Sequence, residues 1–109
     1  MIVRTWTGVV KPGAALGYIA FLNDHMVPEI RSVAGNLGIT ILRGSGDLHD
    51  EFLVISRWID LSSLVAFAGP EPEVAVVPEA AQALLSTWDD RAKHFEVALA
   101  LAEGGQGAT

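Results

Sequence analysis

Hydrophobic and polar residues alternate at the start of the chain and then recur at helical spacing. Residues 2–10 are rich in β-branched side chains and end at the breaker cluster Lys11–Gly13, which predicts a first strand closed by a turn. From Ala14 onward, apolar residues three and four positions apart predict an amphipathic helix of about three to four turns. Pro28 either kinks the end of this helix or begins a last turn that runs through Arg31.

The same switch from strand to helix occurs in the middle of the chain. Residues 37–43 predict a second strand, and a short polar loop with glycines returns the chain into a third strand at residues 52–59, so the two form an antiparallel hairpin. Asp60 then stands at the N-cap position of a helical pattern in residues 61–68. A strand that ends near Trp58 therefore leads into a short helix that packs back on the sheet.

The last third of the chain has weaker patterns. Two prolines within residues 69–72 stop any continuous helix. Residues 73–85 predict two short helical pieces on either side of Pro78, and residues 86–91 predict a turn. The alternating apolar pattern within residues 92–101 predicts a fourth strand.

The predicted order is strand, helix, strand, strand, helix, strand. This βαββαβ order is typical of an α+β, ferredoxin-like fold, whose four-stranded antiparallel sheet has its first and third strands as central neighbours. We expect residues 2–101 to form a single domain and residues 102–109, which contain three glycines, to form a flexible C-terminal tail. Helices would cover one face of the sheet, and the bare apolar face favours pairing with a second copy of the chain.

The composition excludes several classes of function. Only 18% of the residues are charged, the net charge is -6, and the basic residues are scattered singly, which argues against binding to nucleic acid or to a membrane surface. The absence of cysteine excludes disulfides and thiolate chemistry. Because the first residues predict a strand instead of a signal peptide, and no apolar run is long enough to span a membrane, we expect a soluble cytoplasmic protein.

Alternation divides the strand residues into two sets with different chemistry. The first set is mainly aliphatic, and its members are Val3, Thr5, Thr7, Val9, Leu37, Ile39, Ile41, Leu53, Ile55, Ile59, Phe95, Val97 and Leu99. The second set mixes aromatic, hydrogen-bonding and ionisable groups, and its members are Arg4, Trp6, Gly8, Asn36, Gly38, Thr40, Ser56, Trp58, His94 and Glu96. A face with the second composition is expected of a small-molecule pocket.

Four of the candidates in the mixed set also have a purely structural interpretation. His94 titrates near neutrality and could act as acid or base, oriented by Glu96, or it could be a structural histidine. Arg4 either pairs with Glu96 across neighbouring strands or binds an anionic oxygen of a ligand. Trp6 and Trp58 either form a pocket wall or fill the core with the indole N–H bonded to a carbonyl.

Several short motifs, taken in order, resemble one known family. They are Arg4-x-Trp6, Pro12-Gly13, Gly35-Asn36-Leu37-Gly38, Glu51-Phe52-Leu53 through Ser56-x-Trp58, Ala66-Phe67-Ala68-Gly69, Pro78-Glu79 and His94-Phe95-Glu96-Val97. Their order and spacing resemble the antibiotic biosynthesis monooxygenase family of dimeric α/β barrels. The resemblance implies a homodimer in which each subunit has a pocket between its sheet and its helices.

The resemblance also implies a function. Members of the family include cofactor-free monooxygenases. The resemblance therefore implies an electron-rich aromatic, quinol or polyketide-like substrate whose own anion reacts with oxygen. The candidate residues are His94, Trp58 and Arg4 for catalysis and Trp6, Ser56, Thr40 and Phe67 for substrate binding. The alternatives are a non-catalytic small-molecule-binding or stress-response barrel and a carbonyl isomerase, which needs no oxygen.

Departures from the family's patterns narrow the cofactor and the chemistry. The haem-degrading branch carries a tryptophan and an axial histidine in the second helical region, and this chain has neither between Ile59 and Ser86, so haem ligation of that kind is not expected. Polyketide oxygenases bring asparagine and tyrosine into the pocket, whereas the single tyrosine here is Tyr18. No metal or other cofactor is expected, because the three histidines have no metal-ligand spacing.

Overall fold

A computed structural model describes residues 1–101, so the predicted C-terminal tail, 102–109, lies outside the described residues. The strands in this part of the chain are β1 (Ile2–Val10), β2 (Asn36–Arg43), β3 (Glu51–Trp58), β4 (Leu85–Trp88) and β5 (Lys93–Glu96). The helices are α1 (Ala15–Phe21), α2 (Val27–Ser32), α3 (Leu61–Ala68) and α4 (Glu79–Gln82). A π-helical turn (Leu22–Met26) joins α1 to α2, and a 3-10 turn (Gly46–Leu48) lies between β2 and β3.

The sheet is built around β1, and all its pairs are antiparallel. The strand order is β2-β3-β1-β4, with β5 also paired to β1. β1 and β3 pair along almost their whole length, from Ile2 opposite Trp58 to Val9 opposite Glu51. The predicted α+β ferredoxin-like fold, the hairpin of the second and third strands, and the central position of the first and third strands are confirmed.

The predicted fourth strand is confirmed in part at β5, but a further short strand, β4, shares the same edge of β1. β4 pairs with residues 8–10 of β1 and occupies part of the predicted turn, while β5 pairs with residues 2–5 and is shorter than the predicted strand. The register of β4 shifts between Val9 and Val10. Strands of four residues contain too few alternations to be recognised from the sequence. Both form through hydrogen bonds to the long edge of β1.

The helical predictions are confirmed at α1 and α3. The carboxylate of Asp60 accepts a hydrogen bond from the Ser63 backbone N–H at 2.9 Å, so it caps α3 as predicted. Pro28 lies in the first turn of α2, after the π-helical turn, which matches the alternative of a proline that begins a last helical turn. Within residues 1–101, no helix is both long enough and apolar enough to cross a membrane.

The predicted helical piece at residues 73–77 is wrong. This segment is not helical: Val74 forms an isolated bridge with Arg91, Ala75 N–H donates to Asp90 O at 2.9 Å, and Ala92 N–H donates to Glu73 O at 2.8 Å. Pairing with the segment between β4 and β5 satisfies backbone groups that a helix would otherwise satisfy internally. We call residues 69–78, which connect α3 to α4, the strap.

A β-bulge in β2 reverses the predicted faces of that strand from Gly38 onward. Asn36 lies opposite Trp58, but Gly38 lies opposite Arg57, so β2 contains one extra residue at this point. Because side chains alternate, the extra residue turns Ile39 to the helix-covered face and Thr40 to the opposite face. Gly38 has a φ of 150°, which favours glycine at the bulge.

The helices cover one face of the sheet and enclose two core clusters. In the first, the rings of Tyr18 and Phe52 meet edge to face with centroids 5.2 Å apart. In the second, Trp58 and Leu64 are both fully buried. The other side of the sheet, which we call the bare face, carries Val3, Thr5, Thr40, Leu42, Leu53, Ile55, Arg57, Lys93 and Phe95.

The turn before β2 depends on a glycine, and replacing it tests the packing of α3 against this turn. Gly35 has a φ of 92°, and an added Cβ would lie 2.5 Å from Ser63 Cβ. We expect Gly35→Ala to lower the free energy of unfolding by about 2–4 kcal/mol, from left-handed backbone strain together with overpacking. Urea unfolding followed by circular dichroism measures this loss.

Gly13→Ala is the matched control for this prediction. Gly13 has a φ of 80°, but an added Cβ would meet nothing within 4 Å. Only the backbone strain remains there, and the expected loss is about 1–2 kcal/mol. Equal losses in the two variants would show that the close approach of Gly35 to Ser63 does not contribute.

Candidate functional site

Arg4 and His94 are brought together by the pairing of β1 with β5. They lie directly opposite each other, and Arg4 Nη1 is 2.9 Å from His94 Nε2. A guanidinium has only donors, so His94 Nε2 must accept this hydrogen bond through its lone pair. The imidazole is therefore neutral, with its proton on Nδ1.

The electrostatic surroundings favour the same protonation state. Burial lowers the pKa of His94 from its ordinary value, the charge of Arg4 lowers it further, and Glu73 acts in the opposite direction. Burial also lowers the pKa of Arg4, but a guanidinium stays charged at neutral pH. His94 can accept a proton at Nε2 only when Arg4 releases that atom.

Arg4 also holds the strap against the sheet. Its Nη1 donates to the backbone carbonyl of Pro72, and its Nη2 is 3.5 Å from the carbonyl of Val74. Glu96 lies opposite Ile2, and within residues 1–101 Arg4 makes no ion pair with a carboxylate. The predicted alternative of an Arg4–Glu96 pair is therefore wrong, because backbone carbonyls of the strap take that place.

Phe67 on α3 links Arg4 to the buried tryptophan of β3. The Arg4 guanidinium lies 5.8 Å from the centroid of the Phe67 ring, within the range of a cation–π interaction. Trp58 stacks on the same ring with centroids 5.5 Å apart and an interplanar angle of 17°, and its indole N–H donates to Ser56 Oγ at 3.0 Å. Trp58 thus fixes the position of Phe67 from within the core.

The indole of Trp6 on β1 is held by a hydrogen bond to the residue that follows β4. The indole N–H donates to the carbonyl of Asp89 at 2.7 Å. A Cβ at Gly8 would lie 2.6 Å from the Trp6 ring, so the glycine provides the space over which the indole lies. These two tertiary contacts therefore limit the movement of the indole.

A cavity of about 40 Å³ lies between the sheet and the helices. Four of the seven predicted site residues line it, namely Arg4, Trp6, Ser56 and Phe67. Trp58 and His94 do not line it, although both contact residues that do. Thr40 is on the bare face, where its hydroxyl accepts a hydrogen bond from Arg57, so its predicted place in the site is wrong because of the β2 bulge.

The remaining lining residues come from β3, the helical segments and the strap. They are Tyr18, Leu22, Met26, Ile30, Val54, Val76, Val77, Pro78 and Ala81. The helical periodicity of residues 14–31 identifies the lining residues on α1, the π-helical turn and α2 as members of an inward-facing apolar stripe. The strap residues had no periodic signal, since their position depends on Arg4 and on the pairing with residues 90–92.

An outer groove of about 320 Å³ adjoins the cavity. It is lined by Phe21, His25, Met26, Glu29, Pro78 and Ala80. Met26 and Pro78 line both the groove and the cavity, so these two side chains separate the two spaces. Within the described residues, no group of three or more histidine, aspartate or glutamate side chains is placed to hold a metal ion.

The ferredoxin-like sheet with a small pocket under its helices defines the class of protein. Residues 1–71 match the family model of the antibiotic biosynthesis monooxygenases, and the chain belongs to that family. No curated protein matches the sequence at a significant level.

Several solved structures share the fold. SnoaB, a cofactor-independent oxygenase from Streptomyces nogalater, is 20% identical with a TM-score of 0.70 over 94% of this chain and 97% of that one. NE2512, a protein of unknown function from Nitrosomonas europaea, is 20% identical with a TM-score of 0.68 over 95% of both chains. MhuD, crystallised with two manganese protoporphyrin IX molecules per active site, is 20% identical with a TM-score of 0.67 over 94% of this chain and 99% of that one. At these identities the likeness shows a common fold.

The neutral state of His94 leads to a titration experiment. We expect the His94 ring to titrate below its ordinary value of 6.5 in nuclear magnetic resonance spectra. In Arg4→Met this pKa should rise, because a neighbouring positive charge is removed, but it should stay below the ordinary value because burial remains. Arg31→Met, which removes an exposed guanidinium on α2, is the control and should leave the His94 titration unchanged.

The same shift has a consequence for stability. The unfolded chain binds the His94 proton more tightly than the folded protein, so the contribution is complete above pH 6.5 and is lost as pH falls through the folded pKa. We expect the free energy of unfolding of the parent to fall more steeply over this pH range than that of His94→Gln. Parallel pH profiles for the two proteins would contradict this interpretation.

Proposed function

We propose that this protein is a cofactor-independent monooxygenase that acts on an electron-rich aromatic, quinol or polyketide-like small molecule. The observation that supports it best is the buried guanidinium of Arg4, 6% exposed, beside an aromatic-lined cavity. A fixed cation in a site of low dielectric constant favours the ionised form of a phenol, and that electron-rich anion is what reacts with oxygen. Membership of the family and the fold shared with a cofactor-independent oxygenase are consistent with this function.

The proposal assigns a different task to each group. Arg4 stabilises the substrate anion, and Trp6 and Phe67 hold the ring. His94 acts through Arg4: when Nη1 of the guanidinium turns to the substrate oxygen, Nε2 of His94 is released and takes up the phenolic proton. The cation and the base are thus coupled, because the same hydrogen bond keeps both of them occupied before the substrate binds.

The ligand needs more room than the cavity alone offers. A volume of 40 Å³ holds only about two or three water molecules, whereas the outer groove of 320 Å³ is in the size range of small-ligand sites. Met26 is unbranched and flexible, so a change of its rotamer can join the two spaces. In this arrangement the ring of the substrate lies across the position of Met26, and its oxygen reaches Arg4.

Oxygen uptake in the presence of substituted hydroquinones tests the function. We expect the parent to consume oxygen faster than the uncatalysed reaction, and Arg4→Met to lower the rate by about a hundredfold or more, as removal of an oxyanion-stabilising donor does elsewhere. Arg31→Met is the matched control and should keep the parent rate. Parent rates no higher than those without protein would contradict the oxygenase proposal.

One observation favours a second candidate function, a binding barrel with no chemistry. The cavity is small, and His94 Nε2 is occupied by Arg4, so no free base faces the cavity before a ligand binds. This candidate predicts ligand binding without oxygen uptake. A carbonyl isomerase would be recognised by turnover that continues under anaerobic conditions.

We also propose that the chain forms a homodimer through the bare face, with residues 2–101 as one domain in each subunit. Leu42 and Phe95 on this face are 47% and 53% exposed, and half-buried aliphatic side chains lie between them. A sheet face with this composition is stabilised when a second layer covers it. Both family membership and the low charge of the chain support the same assembly.

Substitution on the bare face tests the dimer. Phe95→Glu places a charge on the proposed interface, and we expect it to shift the protein from dimer to monomer in light scattering coupled to size-exclusion chromatography. Leu16→Glu is the control, because Leu16 on α1 is 77% exposed and lies on the helical side. A parent that is monomeric at micromolar concentration would contradict the proposal.

A further inference from the structure

The donors of Arg4 are unevenly used. A guanidinium carries five N–H donors and no acceptor. Nη1 donates to the carbonyl of Pro72 and to His94 Nε2, whereas Nη2 has one long contact, 3.5 Å, to the carbonyl of Val74. Within residues 1–101, Nε makes no hydrogen bond. The edge formed by Nε and Nη2 therefore keeps donors without a good partner.

This edge belongs to a side chain that is 94% buried and lines the cavity. A buried cation without an anionic partner is costly, and the Phe67 ring compensates for only part of the charge. Trp6, Tyr18 and Ser56 line the same cavity, and Arg4 is the one charged member of the described lining. The described lining thus carries one positive charge and no negative charge.

The geometry of the edge selects the kind of anion. Two parallel N–H donors match the two oxygens of a carboxylate, which Arg binds in bidentate fashion. A dianion such as a phosphate monoester would leave one charge uncompensated in a cavity that is otherwise apolar or neutral. A monoanion with two coplanar oxygens fits both the donor pattern and the charge.

We propose that the ligand of this site is an aromatic carboxylic acid, whose carboxylate binds the Nε–Nη2 edge of Arg4 while its ring lies against Phe67 and Trp6. The proposal rests on the proposed function for the electron-rich ring, and it narrows the substrate class from phenols and quinols to hydroxylated aromatic acids. The Nη1 side of the guanidinium can then serve a ring hydroxyl once Nη1 leaves His94 Nε2.

Three related probes test the proposal on the full chain. They are gentisate, gentisate methyl ester and hydroquinone, which share a hydroquinone ring and differ in the carboxylate. In isothermal titration calorimetry at neutral pH, we expect gentisate to bind at least about tenfold more tightly than either neutral compound, as for a charge-assisted hydrogen-bonded pair. This comparison uses the parent protein and does not depend on the stability of any variant.

A pair of conservative variants locates the effect. Arg4→Lys keeps the charge but cannot form the two parallel hydrogen bonds, so we expect the preference for gentisate over its ester to fall by about tenfold. Arg31→Lys makes the same change at an exposed guanidinium and should keep the full preference. Thermal unfolding of both variants establishes that they are folded before titration.

Three outcomes would overturn the proposal: equal affinities for gentisate and its ester, an undiminished preference in folded Arg4→Lys, or no heat of binding for gentisate at millimolar concentration.

Oxygen uptake with the same probes separates this inference from the proposed function. Oxygen consumption with hydroquinone and no gain from the carboxylate would retain the oxygenase and remove the carboxylate site. Selective binding of gentisate without oxygen uptake would retain the site and favour a binding protein.

Discussion

The hydrogen bonds of the Arg4 guanidinium connect the central strand to the other parts of the site. From β1, this one side chain contacts the imidazole of His94 on β5, the carbonyls of Pro72 and Val74 in the strap, and the ring of Phe67 on α3. Strap residues that follow Val74 line the cavity, so the position of Arg4 also determines the shape of the pocket. A buried charge is expensive unless hydrogen bonds compensate for it, and the backbone carbonyls of the strap supply part of that compensation here.

The sheet assigns separate tasks to its two faces. The helix-covered face holds two core clusters, with the small cavity beside them, and the bare face carries aliphatic side chains from every long strand. The one-residue bulge near Gly38 decides which side chains of β2 belong to which face. Without it, Ile39 and Ile41 would leave the core, and Thr40 would replace them.

The family and the fold limit the chemistry without determining it. Proteins of this fold include a cofactor-independent oxygenase and a protein that binds porphyrins, so the reaction depends on the side chains in the pocket. In this chain the polar side chains lining the cavity are one guanidinium, one hydroxyl, one phenol and one indole, from Arg4, Ser56, Tyr18 and Trp6. Burial raises the pKa of Tyr18 to about 12, so the phenol is neutral and Arg4 supplies the charge.

Local patterns in the sequence determined the strands and helices that are long enough to show a clear hydrophobic periodicity. β1, the β2–β3 hairpin, α1 and α3 with its Asp60 cap follow directly from alternation, helical spacing and capping chemistry. The same alternation placed Arg4, Trp6, Ser56, Trp58 and His94 on one face, which the strand pairing confirms.

Only the tertiary structure decided the rest. The bulge in β2, the two short strands on one edge of β1 and the path of the strap depend on hydrogen bonds between segments far apart in sequence, which no local pattern encodes. Whether a residue lines the cavity or supports a neighbour was decided in the same way, because side-chain packing put Phe67 beside the cavity and left Trp58 buried in the core.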